Sequence, residues 1–193
     1  VETNFKGCNA SFIVTTAGIV MIDTPGAPTQ ASQWRQEIGN HAKISYIINT
    51  EPHVDHTSGN FFFPGTLIAQ EGIRRTLSRP NAAKEFLGWM KTVDPEGLSS
   101  VNGYQVRLPD ITFSKELALY SGDHTFELYH LPGHTPCQTA IYLPQEKVLF
   151  TGDNIVYHRQ PYFFESLPFQ WLESLKRIGQ FDVDCIVPGH GEV

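Results

Sequence analysis

The chain has 193 residues, of which 40% are hydrophobic and 18% charged, with a net charge of −6 at pH 7. That composition fits one domain large enough to bury its own core, and the negative charge argues against nucleic acid as the main partner. No stretch approaches the run of about 18 apolar residues that a membrane span needs, and no secretory signal pattern opens the chain, so no membrane partner is expected.

Cys8, Cys137 and Cys185 are an odd number without metal-type CxxC spacing. They read as small buried thiols, which points to a reducing, cytoplasmic compartment. The abrupt opening at Val1 keeps a processed, periplasmic or secreted form open.

In chain order, residues 9–15 and 19–22 are short β-branched runs separated by Thr16-Ala17-Gly18, the pattern of a hairpin. Asp23-Thr24-Pro25-Gly26 ends it, and a helix is expected over 29–40 with Gln33, Arg35 and Glu37 exposed. The apolar strand 44–48 then leads into Asn49-Thr50-Glu51-Pro52-His53-Val54-Asp55-His56, and a small-residue turn, Thr57-Ser58-Gly59-Asn60, comes after it. Residues 67–69 read as a brief strand, 70–77 and 82–90 as helices, and Asp94-Pro95-Glu96-Gly97 and Asn102-Gly103 as turns. The irregular segment 78–110 reads as an insertion over the site. Strands are expected over 116–120, 125–131, 139–143 and 147–150. A helix over 167–178, with Leu172, Leu175 and Ile178 on one face, precedes a last strand over 185–187.

Glu51, His53, Asp55 and His56 place four potential metal ligands within six residues at the exit of an expected buried strand. Such a cluster is costly unless a cation compensates it, and imidazole with carboxylate suits Zn, Fe or Mn. Three further strand ends carry a ligand-type residue beside glycine: Gly133-His134, Gly152-Asp153 and Gly189-His190. Singly, Asp153 could be a helix cap and His190 a turn residue. Jointly, seven such residues at four strand ends point to a metal centre.

The set Glu51-x-His53-x-Asp55-His56, Gly133-His134-Thr135, Gly152-Asp153 and Gly189-His190-Gly191 resembles the metallo-β-lactamase superfamily in its usual order, across nearly the whole chain. The resemblance implies an α/β fold, a four-layer αββα sandwich of two mixed β-sheets flanked by helices, with metals at the sheet edge. It implies one metal at Glu51, His53 and His134, a second at Asp55, His56 and His190, and Asp153 bridging them as in the glyoxalase II-like and lactonase-like branches. The ions implied are two divalent metals, Zn first, with Fe or Mn as alternatives. Superfamily members usually begin one or two strands earlier and continue with helix after the last motif, which implies a single domain over 1–193 shortened at both ends.

Glu51 departs from the pattern, which has histidine there. Three carboxylates and one hydroxide neutralise two divalent ions, so a less acidified water and better competition from Mn or Fe are expected.

The chemistry this resemblance implies is that of a hydrolase for an ester, thioester or lactone of a small-molecule substrate. Two metals about 3.5–4 Å apart would share a hydroxide nucleophile that Asp55 orients. Tyr157 or His158 would donate a hydrogen bond to the tetrahedral intermediate, as a tyrosine does in lactonase-like relatives. Phe61–Phe63, Phe163-Phe164 and Trp89 are candidates to line an apolar pocket. Arg74, Arg75 and Arg79 would serve an anionic group if they face inward. The rival reading is an iron-dependent oxidoreductase, persulfide dioxygenase-like or flavodiiron-like, and a second is a non-catalytic binding member. A homo-oligomer remains open.

Overall fold

The computed structural model describes residues 1–39 and 41–193. Two five-stranded sheets form its centre. The first takes β1 (Ser11–Thr15), β2 (Gly18–Ile22), β3 (Ile44–Asn49), β4 (Thr66–Gln70) and β5 (Ile111–Phe113) in sequence order. Its opening pair is antiparallel and the rest are parallel. The second sheet contains β6 (Glu116–Ser121), β7 (His124–His130), β8 (Thr139–Leu143), β9 (Val148–Val156) and β10 (Cys185–His190). It is antiparallel except where β10 runs parallel to β9 at the edge.

The period-two alternation of the strands sorts their side chains between layers. Val20, Ile22, Ile48 and Ile68 face Phe126, Leu128, Ile141 and Phe150 across the space between the sheets. Ile19, Met21, Ile47 and Leu67 point outward from the first sheet, against Ala31, Trp34 and Ile38 of α1 (Pro28–Gly39). On the outer side of the second sheet, Ala140 and Leu149 pack with Ile178 of α5 (Pro168–Ile178). The four-layer αββα sandwich expected from the sequence is the fold. Asn40, the final residue of the helix expected over 29–40, lies outside the described residues.

Several local expectations are corrected. The turn expected at Thr57-Ser58-Gly59-Asn60 is helical: α2 (Val54–Thr57) passes directly into a 3-10 segment, Ser58–Phe62. Buried hydrogen bonds hold it there, with Asn60 Oδ1 accepting from Thr24 Oγ1 and Asn49 Nδ2. The turn at Asp94-Pro95-Glu96-Gly97 likewise opens a 3-10 segment, Pro95–Val101, with the Asp94 side chain accepting from the Gly97 N–H. The strand expected to stop at Phe150 runs on to Val156. β10 pairs with it through two register shifts that bend the edge. The face of α5 that is buried carries Trp171, Ser174 and Ile178, whereas Leu172 is 57% and Leu175 37% exposed. Trp171 sets that rotation by donating its indole N–H to the Asn154 carbonyl. Cys185 is only half-buried.

Segment 78–110 contains α4 (Ala82–Val93), the 3-10 segment and irregular chain. Asp94 ties it to α1 by accepting from both the backbone N–H and the hydroxyl of Thr29. No helix among the described residues is long and apolar enough to cross a membrane.

Phe126 is fully buried between the sheets, so Phe126→Ala should cost about 3–5 kcal/mol of folding stability, measured by equilibrium denaturation.

Candidate metal centre

Three strand ends and the middle of a fourth strand meet at one edge of the sandwich. β3 delivers Asn49-Thr50-Glu51, and the turn after it brings His53 before α2 places Asp55 and His56. β7 leads to His134, β9 carries Asp153 within its length, and β10 ends at His190. The chain backbones approach too closely here for side chains at two glycines. A Cβ on Gly189 would lie 2.7 Å from the Gly152 carbonyl carbon and 2.8 Å from the Asp153 nitrogen. Gly152 itself sits at φ +50°, with a Cβ there 2.8 Å from Thr50 Oγ1.

All seven residues predicted as metal ligands converge. Glu51, His53 and His134 offer donor atoms within 4.8 Å of one another, as do Asp55, His56 and His190, and as do Glu51, His56 and Asp153. Asp153 lies between the groups: Oδ1 is 3.3 Å from His56 Nε2, and Oδ2 is 3.5 Å from His134 Nε2 and 3.3 Å from His190 Nε2.

The polar atoms here are not explained by ordinary hydrogen bonding. Glu51 is completely buried, and its Oε2 approaches His53 Nδ1 to 2.5 Å without the alignment of a hydrogen bond. Glu51 Oε2, His56 Nε2 and Asp153 Oδ1 have no hydrogen-bond partner among the described residues. Buried polar atoms left this way are expensive, and carboxylates with imidazoles around a common point are what a divalent cation would satisfy. The residues fit a dinuclear metal site.

A supporting layer holds the ligands. Asp23, 2% exposed and at φ +53°, accepts from the N–H and hydroxyl of Thr50. Its Oδ2 also lies 2.9 Å from His56 Nδ1, which turns Nε2 toward the cluster. Asn154 Oδ1 accepts from the His134 N–H, and the Trp171 ring packs edge-on against the His134 imidazole at 5.6 Å. The Asn9 side chain donates to the carbonyls of Pro188 and Gly191, one on each side of His190. The sequence reading missed all of these except as turn or strand residues. An aspartate closing an apolar strand before Thr24-Pro25-Gly26 was the available signal for Asp23.

The titratable groups of the centre stand close together, and their charges shift one another's pKa values. Burial works against protonated His190, but hydrogen bonds to Asp153 and Asp55 outweigh it and raise its pKa to about 9. Burial also opposes protonated His56, yet Cys8, Glu51, Asp23 and Asp153 push its pKa well above the usual value. For His53 burial is likewise overcome, by the nearness and charge of Glu51, and its pKa is raised; burial leaves His134 lowered. Burial would raise both aspartates, but the charge of His56 and the hydrogen bond from His190 bring Asp55 and Asp153 below the normal carboxylate range.

The centre opens into a cavity of about 430 Å³ lined by His53, Val54, Asp55, Trp89, His134, Asp153, Val156, Arg159, Gln160, Pro161, Tyr162 and His190. Trp89 therefore reaches the site from segment 78–110 as expected. The other pocket candidates do not. Phe63 is buried in the core beneath α1, Phe61 packs on Phe62 and Tyr104, and Phe163 and Phe164 are exposed outside the cavity wall. Tyr157 and His158 are exposed and meet edge-on, and neither is part of the wall. Arg74 bonds the Pro109 carbonyl, and Arg75 and Arg79 pair at the surface with Glu71 and Glu85. The cation in the wall is Arg159, which the sequence reading did not single out.

The fold and this centre together define an αββα sandwich with a candidate metal centre at its edge, and comparison with known proteins gives its family. The chain belongs to the metallo-beta-lactamase superfamily, whose family model matches residues 3–190. It is 27% identical over 184 residues to the 2,4-dinitroanisole O-demethylase subunit alpha of Nocardioides sp. (strain JS1661), covering 90% of this chain and 49% of that protein. It is 34% identical over 82 residues to the hydroxyacylglutathione hydrolase of Bartonella quintana (strain Toulouse), covering 42% of this chain and 32% of that one. The chain thus spans half or less of these relatives. The structure of TTHA1623 in a di-iron-bound form superposes with a TM-score of 0.70 at 21% identity, covering 100% of this chain and 93% of that one.

The raised pKa of His190 fixes the sign of a pH effect. Its stabilising contribution is complete below pH 6.5, declines as pH rises and is gone above about 9. Chelator-treated protein should therefore lose thermal stability from pH 6.5 to beyond 9. Metal-loaded protein, in which a cation replaces the proton, should lose much less. Thermal midpoints across that range check both arms.

Proposed function

We propose that this chain is a dinuclear metal-dependent hydrolase that cleaves an ester, thioester or lactone bond in a small-molecule substrate. The observation that carries the reading is the meeting of two metal-competent triads and a shared Asp153 at the floor of one open cavity. The family supports it, and so does the local similarity to a protein named hydroxyacylglutathione hydrolase. Zn is the first expectation for both positions. Glu51, His53 and His134 would hold one ion and Asp55, His56 and His190 the other, with Asp153 between them.

Divalent ions held there would make water nucleophilic near neutral pH and would polarise the carbonyl under attack. The chain's own residues do the rest. Asp55, at the cavity wall and 3.2 Å from His190 Nε2, orients the attacking water and takes up its proton. Trp89, Val54, Val156 and Tyr162 surround the apolar part of the substrate and exclude bulk water from it. Arg159, which makes no ion pair among the described residues, faces an anionic group away from the scissile bond. Thiol nucleophiles are not needed and are poorly placed. Cys8 and Cys137 are buried outside the cavity wall, and burial pushes both pKa values up to about 12. Tyr157 and His158 remain candidates to assist only if their segment turns inward on substrate binding.

A second reading, an iron-dependent oxidoreductase, is favoured by the carboxylate-rich donor set. The di-iron form of the structural neighbour keeps the same metal in view.

Elemental analysis of protein purified without chelators or metal-affinity resin separates the two. Close to two Zn or Mn per chain, with turnover of simple thioesters or lactones, is the expected result, and Asp153→Asn should lower that turnover at least about 100-fold. Iron with oxygen consumption and no hydrolysis would overturn the hydrolase reading.

Arg159→Gln should raise KM for a carboxylate-bearing thioester by about tenfold while leaving KM for a neutral analogue of the same thiol unchanged. Steady-state kinetics on the matched pair read this directly.

A further inference from the structure

Glu51 belongs to two of the donor groups, one with His53 and His134 and one with His56 and Asp153, and its two oxygens face different ways. Oε2 lies 2.5 Å from His53 Nδ1 and 3.5 Å from His134 Nε2. Oε1 lies 3.9 Å from His56 Nε2 and accepts the Asp153 backbone N–H at 3.2 Å. Asp153 is divided in the same manner, with Oδ1 toward His56 and Oδ2 toward His134 and His190. Two carboxylates, each split between imidazoles of both metal positions, therefore stand side by side.

We infer that Glu51 spans both metal positions, one carboxylate oxygen to each, so that the centre is bridged by two carboxylates. The inference rests on the dinuclear reading above and gives Glu51 a role that a single-faced ligand at its position would not have. Three features support it. Oε2 is buried without a hydrogen-bond partner among the described residues, so a cation is needed on that side. The hydrogen bond from Asp153 N–H pins Oε1 on the opposite side, so the carboxylate is not free to rotate both oxygens toward His53 and His134. An imidazole at the same position would present one lone pair to a metal and no negative charge. A carboxylate placed between two divalent ions also reduces their mutual repulsion and enriches the site in oxygen donors, which suits Mn and Fe better than histidine does.

A bridging ligand has a signature that a terminal one lacks: its removal weakens both metal-binding steps. The test is calorimetric titration of chelator-treated full chain with Mn(II), with bound metal counted by elemental analysis and folding checked by thermal melting. Wild type should take up two Mn(II) per chain. Glu51→Ala should weaken both steps by about tenfold or more. Glu51→His, which keeps a donor on one side, should hold one step near wild type and weaken the other. His53→Ala, which removes a group facing one cluster, should weaken a single step. Overturning results are Glu51→Ala leaving one step within about threefold of wild type, Glu51→His binding both ions as wild type does, or His53→Ala weakening both steps as much as Glu51→Ala. Two ions bound with Glu51→Ala affecting one of them would sink this inference and leave the hydrolase reading standing, whereas a wild-type chain that takes up fewer than two ions sinks both.

Discussion

A carboxylate with no access to water is the constraint around which this molecule is arranged. Glu51 is completely buried, Asp153 is 7% exposed, and His56 between them is also sealed from solvent. Removing such groups from water costs several kcal/mol each unless opposite charge and hydrogen bonds compensate. The fold supplies part of that compensation through the imidazoles packed around them, and the remainder is what divalent ions would supply. Asp23 beneath His56, Asn154 beneath His134 and Asn9 around His190 then fix the direction from which each ligand faces the centre. The ligands come from chain segments separated by more than a hundred residues, so the precision of the centre depends on the registers of both sheets.

The architecture was legible because the apolar strands alternate or run continuously in ways that helices do not, and because the ligand residues lie at strand ends beside glycines. The convergence of the seven candidate ligands was legible as a set, although no single one was. Elements governed by long-range contacts were harder to read. Nothing local to Thr151-Gly152-Asp153-Asn154 says that a strand continues through it; the parallel partner β10 and its shifted register do that. The leucines of α5 form as good an apolar stripe as the face that is buried. Trp171 decides between them through a hydrogen bond to Asn154 and a contact with His134, neither of which is visible in helical spacing. The turn after His56 became helical because Asn60 closes a buried network with Thr24 and Asn49 from other segments.

The pocket shows the same division. The triplet Phe61–Phe63 and the pair Phe163-Phe164 are natural pocket candidates in the sequence, yet most of that surface serves packing or faces outward. The wall is instead built from single residues of three distant segments: Trp89 on α4, Val54 and Asp55 on α2, and the 156–162 chain that carries Arg159 and Tyr162. The lining of the cavity can therefore change by substitution in α4 and in the 156–162 chain, which carry none of the candidate ligands.

The placement of the tryptophans gives the centre an intrinsic optical readout. Of the three, Trp34 is packed beneath the first sheet in the core cluster of α1. Trp171 lies against the His134 imidazole, and Trp89 stands in the cavity wall with Asp55. Two indoles thus report on the same chemistry by different routes, one through the ring of a ligand and one through whatever enters the cavity. Emission at the red edge, where partly solvated Trp89 contributes most, should follow occupancy of the cavity, while the buried Trp171 component should follow changes at His134.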